Sequence, residues 1–188
     1  MAILESERLI LRPPRPADIP DMAVWLGDYD VAKMTSRVPH PYGEADAEDF
    51  VAQRGLHRDG GLHWCFTVQR KTDGLFLGGV GLHLEPDGWE MGYWLGKPFW
   101  RNGYASEAAR RMLHFAFAVL DVPVVWAGWF HDNPASGHVL AKLGARHRGS
   151  RMRDCKARGL PVLCHEMLLT RAEFLRKQEH RPGKVGAA

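Results

Sequence analysis

The chain has no long apolar run. Its longest, Met112 to Val119, is broken by His114 and falls well short of the roughly 20 residues needed to cross a bilayer. No membrane-spanning segment is expected. Cysteine is scarce: Cys65, Cys155 and Cys164 are odd in number and show no CxxC spacing, which argues against a disulfide framework or a zinc ribbon and points to reduced thiols. The opening residues MAILESERLILRPP carry Glu5 and Glu7 where a signal peptide would carry basic residues, and their apolar run is too short for an h-region. A cytoplasmic location is the expectation. Internal repeats and low-complexity linkers are also missing, which argues against solenoids and multi-domain strings.

Several catalytic signatures are missing too. The ten histidines include no HExxH pair, and Cys164-His165-Glu166 are consecutive on a strand-like run, where neighbouring side chains face opposite sides. No metal site is expected. GxSxG and the GxxxxGKS/T phosphate loop do not occur, which argues against an α/β-hydrolase and a P-loop nucleotidase. Gly79-Val80-Gly81-Leu82-His83-Leu84 begins like a dinucleotide fingerprint but has Leu84 in place of the third glycine, and it lies in a strand, so a Rossmann reading is dropped.

What remains is an ordinary soluble composition: 188 residues, 45% hydrophobic and a net charge of +3, enough to bury one core. One domain is expected over residues 1–180, with a disordered tail over 181–188. Arg and Lys concentrate in RHRGSRMRDCKARG and RKQEHRPGK, but without the interleaved aromatics of a nucleic-acid surface. Nucleic-acid binding is set aside. The tryptophans are read first as core or interface, a content compatible with a homodimer.

Periodicity orders the elements. Arg8 to Arg12 alternates as a first strand, and Asp18 is placed as the N-cap of a helix through Leu26. A second helix is predicted from Glu44 to His57. Leu62 to Arg70, Phe76 to Leu84 and Trp89 to Leu95 form a meander, the last two joined by the turn Glu85-Pro86-Asp87-Gly88. Ser106 to Leu120 has helical spacing through Ala109, Met112, Leu113 and Ala116 and precedes a strand from Val122 to Phe130. A helix from Pro134 to Leu143 closes at Gly144. A hairpin of Arg146–Arg153 and Val162–Thr170, then a helix from Arg171 to Glu179, complete an α+β sheet.

The chemistry concentrates at WRNGYASEA, Trp100 to Ala108. A strand leads there through a glycine turn into the start of a helix, whose unpaired N–H groups and dipole suit an anion such as a pyrophosphate. Gly103 allows a tight turn close to the ligand, Ala105 is small, and Arg101 adds a cation. A plain strand-to-helix turn would look the same in isolation.

Two further segments add context: GYWL just before the turn, and HDNPASGHVLAKLGA about 30 residues later. Together with ERLILRPPRPADIPDM and LGGVGLHL, in this order, the sequence resembles the GNAT acyltransferase superfamily, in its RimJ/RimL-type branch, over about 170 residues. The resemblance implies a GNAT fold: a mixed, mostly antiparallel sheet splayed between strands 4 and 5 and flanked by about four helices. It implies that the Tyr93, Trp94 and Leu95 backbone meets the pantetheine arm of acetyl-CoA. It implies that the amides of Arg101, Asn102, Gly103, Tyr104, Ala105 and Ser106 cradle the pyrophosphate, that Asn133 hydrogen-bonds pantetheine, and that Ser136 protonates the departing thiolate. Trp100 stands where the superfamily often has Gln or Arg, so packing is expected in place of a polar contact. Leu140 stands where many members have a Tyr general acid, which argues against a Tyr-acid mechanism.

A free amine must attack the thioester carbonyl and lose a proton, for which a carboxylate near the splayed strands is suited. Glu90, in the strand before the turn, is the candidate base, against the alternative of a solvent-facing carboxylate. Ser136 and Asn133 have the competing reading of helix-capping residues. The expected activity is transfer of an acetyl group from acetyl-CoA to a primary amine, foremost a protein N-terminus. A succinyl-CoA or small-molecule amine acyltransferase, or a CoA-binding sensor without turnover, stay open. Loops Val38–Ala47 and Gly149–Pro161 are expected to meet the acceptor, and their Arg and His residues disfavour a polyamine.

Overall fold

The computed structural model describes residues 2–54 and 62–179. In chain order the elements are β1 (Leu4–Glu5), β2 (Leu9–Arg12), α1 (Ile19–Gly27), α2 (Tyr29–Ala32), α3 (Glu44–Arg54), β3 (His63–Arg70), β4 (Phe76–Glu85), β5 (Gly88–Leu95) and α4 (Tyr104–Ala118), then β6 (Val124–Phe130), α5 (Pro134–Leu143), β7 (Arg146–Cys155), β8 (Leu160–Thr170) and α6 (Arg171–Glu179). The strands make one sheet in the order β1-β2-β3-β4-β5-β6-β8-β7. This is the expected mixed sheet. Every neighbouring pair is antiparallel except β5 and β6.

That exception follows from connectivity. Hairpins need only a short turn, and Pro86-Asp87 suffices between β4 and β5, whereas a parallel neighbour requires a crossover, here supplied by α4. The crossover pair is barely closed: β5 and β6 share one bridge, Glu90 with Trp126, while β6 is paired to β8 along its whole length. The opening expected between the fourth and fifth strands thus lies between β5 and β6. The count moves by one because β1, two residues long, is too short for its alternation to show in the sequence.

Helix α4 fills one face. Ala109, Met112, Leu113 and Ala116, the residues that set its apolar spacing, are all buried, and Phe115 meets Trp64 and Phe66 edge-on at 5.1 and 6.0 Å. Burying a side chain of the size of Met112 or Leu113 is worth about 1.5–3 kcal/mol, so this face anchors the crossover. Helices α1 and α3 cover part of the other face around Met22, Leu26, Ala47, Val51 and Phe76.

The structure corrects three boundaries. Asp18 does not cap α1: its backbone is already helical and its side chain makes no cap bond. Instead its carboxylate turns inward, 2.7 Å and 2.8 Å from the Arg12 guanidinium, accepting also from Thr67 Oγ1 at 3.1 Å and Arg15 N–H at 3.0 Å. A buried arginine on β2 claims it. Most of Gly149–Pro161 is strand, leaving Lys156–Gly159 as the turn, with Gly159 left-handed at φ +65°. Likewise Glu44–Ala47 belongs to α3, which is described to Arg54; residues 55–57 of its predicted span lie outside the described residues, as does the tail 181–188. Among the described residues, no helix is long and apolar enough to cross a membrane.

Candidate functional site

The open edge of β5 can be identified from alternation. Gly96 N–H donates to Leu77 C=O at 2.9 Å, so that residue points toward β4, and the backbone groups of Leu95 and Tyr93 point the other way. On that side β6 has already diverged beyond the single bridge at Glu90. A slot with polar backbone on one wall is what an extended amide-bearing chain such as pantetheine can pair with.

At the end of this strand the chain turns sharply. Trp100, expected to act by packing, also donates its indole N–H to Leu95 C=O at 2.8 Å, which ties the turn to the slot's edge. Trp100→Phe should lose one hydrogen bond and about 1 kcal/mol of stability, readable as a lower melting temperature. Arg101 and Gly103 are both left-handed, at φ +63° and +79°, and Asn102 Nδ2 donates to Trp100 C=O at 2.9 Å.

Helix α4 starts at Tyr104, and its first ladder bond runs from Glu107 N–H to Gly103 C=O at 3.1 Å. The N–H groups of Tyr104, Ala105 and Ser106 precede that bond and form the donor end of the helix. A carboxylate in this first turn could fold back over them, but Glu107 is held elsewhere. It accepts from Ser6 Oγ at 2.8 Å, Arg8 N–H at 2.7 Å and Arg8 Nε at 2.7 Å. Burial would push its carboxyl up, but these donors outweigh burial and hold it below the ordinary carboxylate range. Arg8 also donates to Asn102 C=O at 3.0 Å and lies over the Tyr104 ring at 4.6 Å. No local signal in the sequence linked Arg8 to this turn. The turn fits a pyrophosphate: a donor-rich helix end, a left-handed glycine and the exposed Arg101 beside it.

The second wall of the slot leads into α5. Asn133 is its N-cap, its Oδ1 accepting from Ser136 N–H at 3.3 Å, and Pro134 follows in the first turn. The capping reading of Asn133 is therefore realised, without exhausting its amide. Ser136 Oγ lies 2.8 Å from the Tyr93 hydroxyl, a contact that spans the slot. Burial raises the Tyr93 phenol to about 12, although the Ser136 contact works the other way. Leu140, on the same helix, is buried core at 2% exposure.

Trp94 is turned to the opposite face from Tyr93 and packs against Phe76 at 5.9 Å. The register carries that face across the sheet as His63, His83, Glu90 and Trp126. The two imidazoles touch, Nδ1 to Nδ1 at 3.2 Å. Burial first, then the Arg37 and His63 charges, lowers His83 to about 4, so it is neutral at physiological pH. A Cβ added at Gly92, between Glu90 and Trp94, would meet nothing within 4 Å, which marks open space at that point of this face.

Glu90 is not a bare carboxylate. It pairs with Arg153 of β7, and Arg37 lies 3.7 Å away while gripping Glu85 at 2.5 Å. Arg37 is positioned because its loop is pinned to the β7–β8 turn: Lys156 N–H donates to Ser36 C=O at 3.1 Å, Cys155 Sγ to Thr35 C=O at 3.3 Å and Arg158 Nε to Lys33 C=O at 3.0 Å. The basic run of the sequence is matched in the same way, with Arg146 on Glu173, Arg151 on Glu166 and Arg158 on Asp132 at 2.6 to 2.8 Å. Among the described residues, no group of three or more His, Cys, Asp or Glu could hold a metal ion, and the three cysteines are buried and unbridged.

Comparison with known proteins gives this geometry a context. Residues 8–146 match the acetyltransferase (GNAT) domain family. The chain is 26% identical over 151 residues, 78% of its length and 84% of the other's, to the uncharacterized N-acetyltransferase YoaA of Bacillus subtilis (strain 168). The ribosomal-protein-S5-alanine acetyltransferase of Vibrio fischeri superposes with a TM-score of 0.76 at 17% identity, covering 90% of this chain and 97% of that one. The spermidine N-acetyltransferase of Vibrio cholerae, crystallised with CoA and spermine, also gives 0.76, at 16% identity and with 90% and 99% covered.

Proposed function

Since the chain belongs to the GNAT acetyltransferase family, we propose that it moves an acetyl group from acetyl-CoA to the α-amine of a protein N-terminus, in a ternary complex. The observation that carries the donor half is the parting of β5 from β6 along the strand whose end is tied by Trp100 to the turn that opens α4. In this reading the Tyr93–Leu95 backbone and Asn133 hold the pantetheine arm. The residues from Trp100 to Ser106 hold the pyrophosphate, with Arg101 as the accompanying cation.

The reaction itself makes modest demands. The amine nitrogen bonds to the thioester carbonyl carbon, the C–S bond breaks with its electron pair on sulfur, and the proton shed by the amine must reach a base. Glu90 is assigned that proton. Its guanidinium partners mean that it must exchange one of them for the acceptor, so Arg153 governs how readily it serves. Ser136 is assigned to the sulfur.

The acceptor half rests on charge. A polyamine needs carboxylates without partners, but here Glu85 and Glu90 are matched by Arg37 and Arg153, and Asp87 and Glu166 by Arg151. This favours a single amine on a larger molecule, the acceptor type named for the Vibrio fischeri neighbour, over the spermidine of the Vibrio cholerae one.

The test is thiol release from acetyl-CoA with peptides bearing a free N-terminal amine, the same peptides blocked at that amine, and spermidine. Release is expected with the free peptides and not with the blocked ones. Tight CoA binding with no release from any amine would instead identify a CoA-binding module.

A further inference from the structure

Tyr93 is a cofactor-strand residue by sequence, but its side chain does something its backbone role does not require: it crosses the slot to Ser136. The phenol has one hydrogen and two oxygens within reach, Ser136 Oγ at 2.8 Å and Ser136 C=O at 3.2 Å. The carbonyl sits inside the α5 ladder, where a backbone N–H four residues on serves it. The hydroxyl, at the shorter distance, is the better acceptor. Ser136 is meanwhile fixed from behind by the bond from its N–H to Asn133.

We propose that Tyr93 is a positioning residue for acyl transfer, whose phenol occupies the Ser136 oxygen as a donor and so leaves the serine's own hydrogen for the sulfur of the departing thiolate. This rests on the reading of Ser136 as the group beside that sulfur. A serine hydroxyl can donate one hydrogen bond, and if that hydrogen were spent on Tyr93 none would remain for the leaving group. With Tyr93 donating, the serine hydrogen faces the charge that grows on sulfur as the C–S bond breaks, the arrangement that stabilises a developing anion. No proton passes from Tyr93. It remains a phenol throughout the working range because burial raises it to about 12. The electron pair stays on sulfur, and Ser136 stabilises the thiolate without giving up its proton, a narrower role than the proton transfer that the family resemblance implies. The thiolate takes its proton from water after release.

The test uses CoA alone, through the ultraviolet absorbance of its thiolate in complex with the protein as pH is varied. The bound thiol should be most acidic in the native protein. In Ser136→Ala it should be less acidic by about tenfold, the scale of one charge-assisted hydrogen bond, and in Tyr93→Phe by a smaller, several-fold amount, because the serine keeps its hydrogen but loses the donor that turns it toward the sulfur. Because Tyr93 acts only through Ser136, Tyr93→Phe on top of Ser136→Ala should add nothing, whereas Ser136→Thr should restore most of the effect. Equal thiol acidity in native protein and Tyr93→Phe, additive effects in the double variant, or no CoA binding by the native protein would each overturn the proposal. The measurement needs no acceptor, so a protein that shifts the thiol in this way but acetylates no amine would refute the proposed function and support the Tyr93 assignment.

Discussion

Gly103→Val should yield a folded protein that no longer retains CoA, with affinity reduced by at least about 100-fold. The reason is local. Gly103 is left-handed at φ +79°, a conformation that costs a non-glycine residue about 1–3 kcal/mol and a β-branched one the most. A Cβ there already stands 3.4 Å from the Arg8 guanidinium. The valine can relieve its strain only by swinging the turn, which moves the N–H groups of Tyr104 to Ser106 away from their common focus. The core residues of α4, from Ala108 onward, lie beyond the first turn and should hold, so the melting temperature falls by only a few degrees for a loss of this size. Titration calorimetry with CoA beside a thermal melt checks both halves. Undiminished affinity would show that the anion is held elsewhere.

Asp18→Ala should be strongly destabilising, costing about 3–5 kcal/mol, because it leaves the Arg12 guanidinium buried without its charged partner. Arg12 and Asp18 are 9% and 3% exposed, and the bidentate contact joins β2 to the start of α1. Burial works to raise the Asp18 carboxyl, but the Arg12 guanidinium, Arg15 N–H and Thr67 hydroxyl together bring it below its ordinary 3.8. A carboxyl depressed on folding contributes its full stability above its unfolded value and loses it as pH falls through the folded one. Native protein should therefore lose melting temperature as pH is lowered below about 3.8, and Asp18→Asn should flatten that part of the profile. An unchanged acid limb in Asp18→Asn would place the acid sensitivity on other carboxylates, Glu107 first among them.

Asp18 also shows where sequence reading loses its grip. An aspartate just before a helix is both the best N-cap residue and the natural partner of a nearby arginine, and only the three-dimensional course of β2 decides between the two. Long, regular features were legible: the alternating meander, the apolar stripe of α4, and α5 closed by left-handed Gly144. A two-residue strand and a single helical turn, β1 and α2, were not, since neither completes two periods of its pattern.

The same division runs through the site. The turn from Trp100 to Ser106 was legible because its chemistry is contiguous in the chain. The groups that condition the turn and the strand before it come from far away: Arg8 from the bend before β2, Arg153 on Glu90 from 63 residues on, and Ser136 on Tyr93 from 43 residues on. His63 and His83 drew no attention as two of ten histidines. They become neighbours of Glu90 only when the register of β3, β4 and β5 aligns them in one row.

The ends of the sheet carry a consequence for assembly. A sheet whose last strand is long and flat invites another chain to continue it, but neither end here does so. At one end β1 offers only two residues. At the other, β7 is ten residues long but studded with exposed arginines and kinked by a bulge between His147 and Gly149. Long charged side chains engaged in ion pairs and a broken register together discourage a second copy from docking edge to edge. Any pairing of two molecules is thereby directed to their helical faces and loops, and the fold is guarded against growing into a filament of stacked strands.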